Sequence, residues 1–279
     1  MSAIDRVVVL GCGFAGTAVA RLARDRGLRV LANVRSADRA SSLAQEGFEV
    51  LAMPELGRPI ETHIDGATHV VVAFPPDGST DARVAPLLAR AAAVTYVSST
   101  GVYGDHSGHV DDETPVPAST ARSARILDAE DAYRARGGAG ATILRCPGLY
   151  GRGRGLHLRI LRGEHRIPGD GSRFLSRIHV DDLAALVLAS GSQRADAPET
   201  FVVGDLEPAP HVDVVRFVCD TYRVPMPPFV PLESVHESLR ADRRVDGARA
   251  RARFDVRFAY PTYREGMAPS ATGVAPLGA

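Results

Sequence analysis

The run Gly11-Cys12-Gly13-Phe14-Ala15-Gly16 is where residue type and spacing point most directly to chemistry. It follows an apolar stretch, Val7–Leu10, and leads into a stretch rich in helix formers. At such a junction Gly11 makes the tight turn, Gly13 leaves room for a pyrophosphate to approach the backbone, and Gly16 lets the helix close on the strand. Amides at the helix N-terminus, including those of Phe14 and Ala15, would then bind the phosphates. The expected ligand is a dinucleotide. Its type turns on the end of the second strand, where an NAD site carries Asp or Glu about 20 residues past the glycines to bind the ribose hydroxyls. Here the segment reads Leu31-Ala32-Asn33-Val34-Arg35-Ser36, followed by Arg39, with no carboxylate in that place. Guanidiniums suit a 2′-phosphate. Asn33, Arg35 and Arg39 are therefore expected cofactor residues, and NADP(H) is favoured over NAD(H). The plainer alternative makes Arg35 and Arg39 solvated residues at a helix start.

Positioning such a turn requires alternating strands and helices, and the sequence supplies them. Val7–Leu10, Val30–Ala32, Glu49–Leu51, His69–Phe74, Val94–Val97 and Thr142–Leu144 read as strands. Ala15–Arg26, Ser36–Gln45, Thr80–Ala92 and Ser119–Arg136 read as the helices between them. Right-handed crossovers then give a doubly wound α/β parallel sheet, an NAD(P)-binding Rossmann fold with a small C-terminal substrate lobe. The expected division is residues 1–150 for the sheet domain, with 177–203 returning to it (a helix at Asp181–Ser190, a strand at Thr200–Val203). Residues 151–176 and 204–279 would form the lobe, with a flexible tail after Met267.

Composition narrows the class. The chain has 279 residues, 45% hydrophobic and 24% charged, with 33 basic and 33 acidic side chains. All the basic ones are arginine, so no mechanism here can use a lysine. Zero net charge removes the electrostatic case for nucleic acid or an anionic membrane. No apolar run approaches the roughly 20 residues that span a bilayer, and Met1–Leu10 lacks a signal-peptide pattern, so a cytoplasmic protein is expected. Cys12, Cys146 and Cys219 stand far apart, which argues against disulfides and against a zinc site. No metal is expected.

Four further motifs follow the glycine turn in order: Val97-Ser98-Ser99-Thr100-Gly101-Val102-Tyr103-Gly104, Asp112-Glu113-Thr114-Pro115, Leu144-Arg145-Cys146-Pro147-Gly148-Leu149-Tyr150-Gly151, and Arg177-Ile178-His179-Val180-Asp181-Asp182-Leu183-Ala184. With them, residues 4 to about 205 resemble the extended short-chain dehydrogenase/reductase superfamily, in particular its sugar-nucleotide epimerase/dehydratase group. Arg243-Arg244-Val245 and Tyr260-Pro261-Thr262-Tyr263-Arg264-Glu265-Gly266 look more like an atypical subgroup of NAD(P)-dependent epimerases. The resemblance implies that Ser99 orients a substrate oxygen. It also implies a proton-exchanging Tyr four residues before a ribose-holding Lys. In Ser119-Thr120-Ala121-Arg122-Ser123-Ala124-Arg125 those places hold Ala121 and Arg125. Arg125 could hold the ribose, but an arginine stays protonated. Thr100 and Gly101 replace the acidic pair of the dehydratases, and Gly148 stands where an Asn is common. The cofactor contacts are expected to extend to Phe74, Pro75, Pro76, Ser98, Arg125 and Pro147.

Substitute proton carriers are sought in Tyr103, Asp105, His106 and His109, just past Ser99 at the carboxyl end of a strand. Tyr103 could equally be a wall residue, the two histidines solvated, and His179 a loop-fixing hydrogen bonder. Asp181 and Asp182 suffice as helix-terminal charges. Arg243, Arg244, Arg249, Arg251 and Arg253 read as a solvated helical face or as a trap for an anionic substrate, with Arg152, Arg154 and Arg159 as comparable candidates. The expected function is an NADP(H)-dependent oxidoreductase acting on a small hydroxyl or carbonyl compound. The rivals are a non-catalytic NADP(H)-binding sensor and a sugar-nucleotide epimerase. Small-residue stripes on Thr80–Ala92 (Ala82, Ala85, Leu88, Ala89, Ala92) and on Ser119–Arg136 (Ala121, Ala124, Leu127, Ala132) are the expected seam of a homodimer.

Overall fold

The computed structural model describes residues 3–275, apart from positions 137, 139, 237 and 238. Seven parallel strands form the central sheet: Arg6–Leu10 (β1), Arg29–Val34 (β2), Glu49–Ala52 (β3), Thr68–Val72 (β4), Ala93–Ser99 (β5), Ala141–Cys146 (β7) and Glu199–Val202 (β12), with Gly108–Val110 (β6) lying outside it. Their order is β12-β7-β5-β4-β1-β2-β3. The order reverses at β1, so the crevice beside its carboxyl end is where such sheets bind ligands. Alternation along the strands builds two cores. Val7, Val9, Val71 and Leu144 face one side, and Val8, Leu10, Val70, Val72 and Ile143 the other. Each fully buried Val or Leu is worth about 1.5–3 kcal/mol.

Phe14–Asp25 (α1) and Val180–Ser192 (α6) pack together on the first face, with Ala37–Gln45 (α2) beside β2 and β3. Thr80–Val84 (α3) and Ala121–Arg134 (α4) cover the second face. The helix expected over Thr80–Ala92 breaks: α3 ends at Val84 and a 3₁₀ turn, Ala85–Leu88, follows. Pro86 lacks the N–H that would continue the ladder. Ala85, Leu88 and Ala92 are buried on the chain's own sheet, which leaves less apolar surface for a symmetric partner than the stripe suggested. In α4, Thr120 and Ser123 form a reciprocal capping box, while Ile126, Ala129 and Tyr133 turn inward.

A third core gathers Leu156–Leu161 (α5), His211–Tyr222 (α7) and Tyr263–Gly266 (α9) around Tyr150, Ile160, Val214, Val218 and Tyr222. Short pairings stitch it together: Gly148–Tyr150 (β8) with Arg177–His179 (β11), Ile167–Pro168 (β9) with Phe229–Val230 (β14), Phe174–Leu175 (β10) with Ala209–Pro210 (β13), and β6 with Arg243–Val245 (β15). Ala248–Phe254 (α8) returns to the first sheet face, where Ala250, Phe254 and Phe258 join the same core as Val7. The segment after residue 204 is therefore shared between the sheet and the third core. The tail expected to be flexible is docked through Pro269–Thr272 (α10). The Tyr222 hydroxyl is 2.9 Å from the Met267 carbonyl and 2.7 Å from Thr272 Oγ1. Residues 276–279 of that tail lie outside the described residues.

Candidate functional site

At the carboxyl end of β1 the glycines divide the labour the sequence assigns them. Gly11 has φ +84°, and a Cβ there would lie 2.8 Å from Phe74 Cβ and from the Phe74 amide nitrogen. A Cβ on Gly16 would lie 2.6 Å from the Gly11 carbonyl oxygen and 2.9 Å from Val9 Cγ1. Around Gly13 the same test meets nothing within 4 Å. Two glycines are thus closed by the protein's own packing and one opens outward. That is the shape a dinucleotide's diphosphate needs beside the N-terminus of α1, whose first turn carries no acidic residue. The residues present fit the group.

At the end of β2 the predicted residues part ways. Asn33 is buried; its Nδ2 donates to the Leu51 carbonyl at 3.1 Å, and its own carbonyl accepts from the Cys12 amide at 2.8 Å. Its side-chain nitrogen ties β2 to β3, so it is not a free donor for a ligand. Arg35 is exposed just past β2. Arg39 swings back to the turn, where its Nη2 donates to Thr17 Oγ1 at 2.7 Å. Thr17 passes its own hydroxyl hydrogen to the Cys12 carbonyl at 3.3 Å. Phe74 lies against Gly11, and Pro75 and Pro76 begin a loop held by Asp77. The Asp77 carboxylate accepts from the Ser79 and Thr80 amides and the Thr80 hydroxyl, which hold it well below the usual carboxylate range.

Ser99 ends β5 half-buried and caps the following 3₁₀ turn, its Oγ accepting from the Gly101 amide at 3.0 Å. The hydroxyl hydrogen remains available to a substrate oxygen. Ser98 points the other way. It is buried and donates to Glu130 Oε1 at 2.6 Å, so its side chain does not join the cofactor set. Glu130, wholly buried, also accepts from Arg145 Nη2 at 2.7 Å and Arg134 Nη2 at 2.7 Å. The Tyr103 hydroxyl, 3.1 Å from Arg145 Nη1, donates to the Asp111 carbonyl at 3.2 Å. Burial raises its pKa, only partly countered by Arg145. Tyr103 is a wall residue, not the proton carrier sought. His106 Nε2 sits 3.0 Å from the His109 carbonyl, and His109 lies 3.6 Å from Asp111. His106 belongs to the surface loop and His109 is exposed on β6.

Above Ser99, α4 supplies charge. Arg125 is exposed, with Cδ 3.8 Å from where a Cβ of Gly78 would stand. Arg122 was missed by counting only the Tyr and Lys places. Its Nε lies 3.5 Å from a Cβ built on Gly101, whose other near neighbours are Ile126 Cδ1 at 3.1 Å and Ser99 Oγ at 3.2 Å. Spacing of three on one helix was the signal that could have found it. The basic cluster after residue 242 is split: Arg249, Arg251 and Arg253 lie on α8, whereas Arg243 and Arg244 lie on β15. Arg243 is buried on β15 and donates to the carbonyls of Thr100, Gly104 and His106, riveting the loop beyond Ser99. Arg244 covers the Phe174 ring at 3.8 Å, Arg249 lies 3.7 Å from Asp112, Arg251 reaches the Gly204 carbonyl at 3.3 Å, and Arg253 grips Glu199. The anion trap proposed for this group dissolves into separate structural contacts.

Past β7, Pro147 is half-buried at the sheet edge, and the loop Gly151-Arg152-Gly153-Arg154-Gly155 returns toward α1. His179 is the N-cap of α6, its Nδ1 accepting from the Asp181 amide at 3.3 Å. Asp182 does not serve that helix terminus. It clamps the Ala259 and Tyr260 amides at 2.7 and 3.0 Å, and burial lifts its pKa to about 6. Beneath the loop, His157 Nδ1 and Nε2, His179 Nε2, Arg177 Nη1 and Asp205 Oδ2 are buried without hydrogen-bond partners. Among the described residues no group of three or more His, Cys, Asp or Glu converges as a metal site, and no helix is long and apolar enough to cross a membrane.

Comparison with known proteins gives the family and the fold. The family model described as NAD dependent epimerase/dehydratase family matches residues 7–204. A conserved protein of unknown function from Silicibacter pomeroyi is 28% identical, with TM-score 0.82 over 94% of this chain and 96% of that one. The human epimerase family protein SDR39U1 (isoform 2), solved with NADPH, is 17% identical, with TM-score 0.75 over 94% and 97%. MoeE5, solved with UDP-glucose and NAD, is 18% identical, with TM-score 0.75 over 94% and 96%. The last two show the shared fold. No curated protein sequence is significantly similar to this chain.

Proposed function

The chain belongs to the NAD-dependent epimerase/dehydratase family, and from that premise we propose that it is an NADP(H)-dependent oxidoreductase of the atypical short-chain type acting on a small hydroxyl or carbonyl compound. One observation carries the reading: the open Gly13 cradle is flanked by Arg35 just past β2 and by Arg39 of α2, pinned to Thr17, and the strand end at residues 31–36 holds no carboxylate. Two guanidiniums there suit a 2′-phosphate. The nicotinamide, when bound, supplies or accepts hydride. Ser99 donates its hydroxyl hydrogen to the substrate oxygen, while its Oγ accepts from the Gly101 amide. Arg122 and Arg125 add positive field over developing negative charge on that oxygen. Neither can give up a proton. The proton that completes reduction comes from water reaching the half-exposed Ser99. The exposed guanidiniums of Arg152 and Arg159 favour an anionic substrate, and the protein is read as cytoplasmic.

A second reading, a non-catalytic NADP(H)-binding sensor, is favoured by one observation. Ala121 stands in the tyrosine's place, and the Tyr103 hydroxyl is locked by Arg145. A sugar-nucleotide epimerase is opposed by the same absence. Single-turnover mixing with NADPH and a panel of aldehydes, ketones and keto-sugars separates these. Hydride transfer that Ser99→Ala abolishes supports the oxidoreductase; tight NADPH binding with no turnover across the panel overturns it in favour of the sensor.

A further inference from the structure

Resting on the dinucleotide reading above, we propose that Arg154 is a diphosphate clamp, reaching the cofactor from the loop that follows β8. The loop that carries it is fixed at both ends and free at its tip. Gly151 has φ +155°, and a Cβ there would lie 2.9 Å from Val180 Cγ1 and 3.1 Å from His179 Nε2. Gly155 has φ +146°, and its Cβ would lie 2.7 Å from His157 Cε1. Only glycine tolerates such approaches in that backbone region. Between them Gly153 has φ +82° with nothing within 4 Å. Reciprocal bonds close the turn, from the Gly151 amide to the Arg154 carbonyl at 2.9 Å and from the Arg154 amide to the Gly151 carbonyl at 3.1 Å. The backbone of Arg154 is therefore held against the N-terminus of α6.

The two arginines of the loop diverge. Arg152 runs toward the C-terminal segment, with Nη2 3.2 Å from a Cβ built on Gly273. The Arg154 guanidinium carbon lies 5.2 Å from the centroid of the Phe14 ring. Phe14 is the first residue of α1, directly after the open Gly13. That contact brings a cation to the helix end where the diphosphate fits, and no acidic side chain in the first turn of α1 competes for it. An exposed arginine–phenylalanine contact is weak. Charge-assisted hydrogen bonds to phosphate oxygens are stronger, so the guanidinium exchanges the ring for the diphosphate when the cofactor enters. The role differs from that of Arg35 and Arg39, which emerge at the end of β2, where the adenosine ribose lies.

Calorimetric titration of the full chain, its Arg154→Ala variant and its Arg154→Lys variant with NADPH, NADH, ADP-ribose and adenosine 2′-monophosphate tests this. Arg154→Ala should bind NADPH, NADH and ADP-ribose alike about tenfold more weakly, with adenosine 2′-monophosphate unchanged. Arg154→Lys, which keeps the charge, should recover part of the loss. Unchanged affinity for ADP-ribose, or a loss confined to NADPH and adenosine 2′-monophosphate, overturns the clamp alone. A wild-type chain that binds none of the four overturns the cofactor reading and the clamp with it.

Discussion

The central sheet and the layer built on its carboxyl edge are held by different forces. In the sheet, valines from successive strands are buried on both faces by the helices that connect them. No single residue carries the arrangement. The second layer hangs on a few polar side chains that reach across the sequence. Arg243 grips carbonyls of the 100–106 loop, Asp182 grips two amides near residue 260, Asp112 Oδ1 accepts from the Val202 amide at 2.5 Å, and Ser176 Oγ bridges the Arg243 carbonyl and the Val245 amide, at 2.8 Å each. Apolar burial spreads stability over many small terms, whereas a charged clamp concentrates it. The layer on the carboxyl edge can therefore be loosened by one substitution more readily than the apolar packing of the sheet.

The largest expected effect comes from a buried ion pair inside the mainly apolar sheet layer. Glu130→Ala leaves Arg145 buried and unpaired, and should cost about 3–5 kcal/mol, read as a lower urea midpoint; a loss similar to that of an exposed residue removes the exception. Arg243→Ala should follow, at about 2–3 kcal/mol, and should also impair whatever Ser99 does, because the loop beyond it loses three anchors. Stability unchanged within about 0.5 kcal/mol breaks the contrast between the layers. Arg35→Ala is expected to weaken NADPH by about 1–3 kcal/mol and to leave NADH nearly unchanged; equal affinities of the wild type for both cofactors sink the 2′-phosphate assignment.

Acid should act next. Burial pulls His157 and His165 down to about 4, and His69 and His211 to about 3. The unfolded chain binds those protons near 6.5, so their stabilisation is complete above that pH and is lost as pH falls toward 4. Asp182 and Asp205, raised by burial to about 6 and about 7, work in the opposite sense, favouring the fold at low pH and losing that share as pH rises through those values. Four histidines outweigh two aspartates, so the urea midpoint should drop between pH 6.5 and 4.5. A flat or rising midpoint contradicts this. The smallest effect is expected from Arg253→Ala, whose pairing with Glu199 is partly exposed and worth under about 1 kcal/mol.

Legibility followed the same divide. The strands and the glycine turn were readable because period-two burial and the Gly11–Gly13–Gly16 spacing are local signals. Pro86, a local breaker in plain sight, was passed over, and with it the end of α3. What sequence could not show was pairing at long range. Arg243 looked like part of a charged helical face because its neighbours alternate with aspartates, yet it lies on a strand registered against Gly108. Asn33 and Ser98 sit at cofactor-facing ends of their strands, but strand alternation and a neighbouring acceptor turn their side chains away. The same holds for Tyr103, whose hydroxyl is taken by Arg145, a residue 42 positions away.

The three cysteines are free and buried, Cys12 in the glycine turn after β1, Cys146 at the end of β7 and Cys219 on α7. Burial also raises all three thiol pKa values, so in the folded protein each is shielded from alkylating reagents and poor in thiolate. Each reacts only when its surroundings open. The chain thus carries native chemical clocks in both layers, and the labelling rate of Cys219 against those of Cys12 and Cys146 measures whether the covering layer breathes apart from the sheet or only together with it.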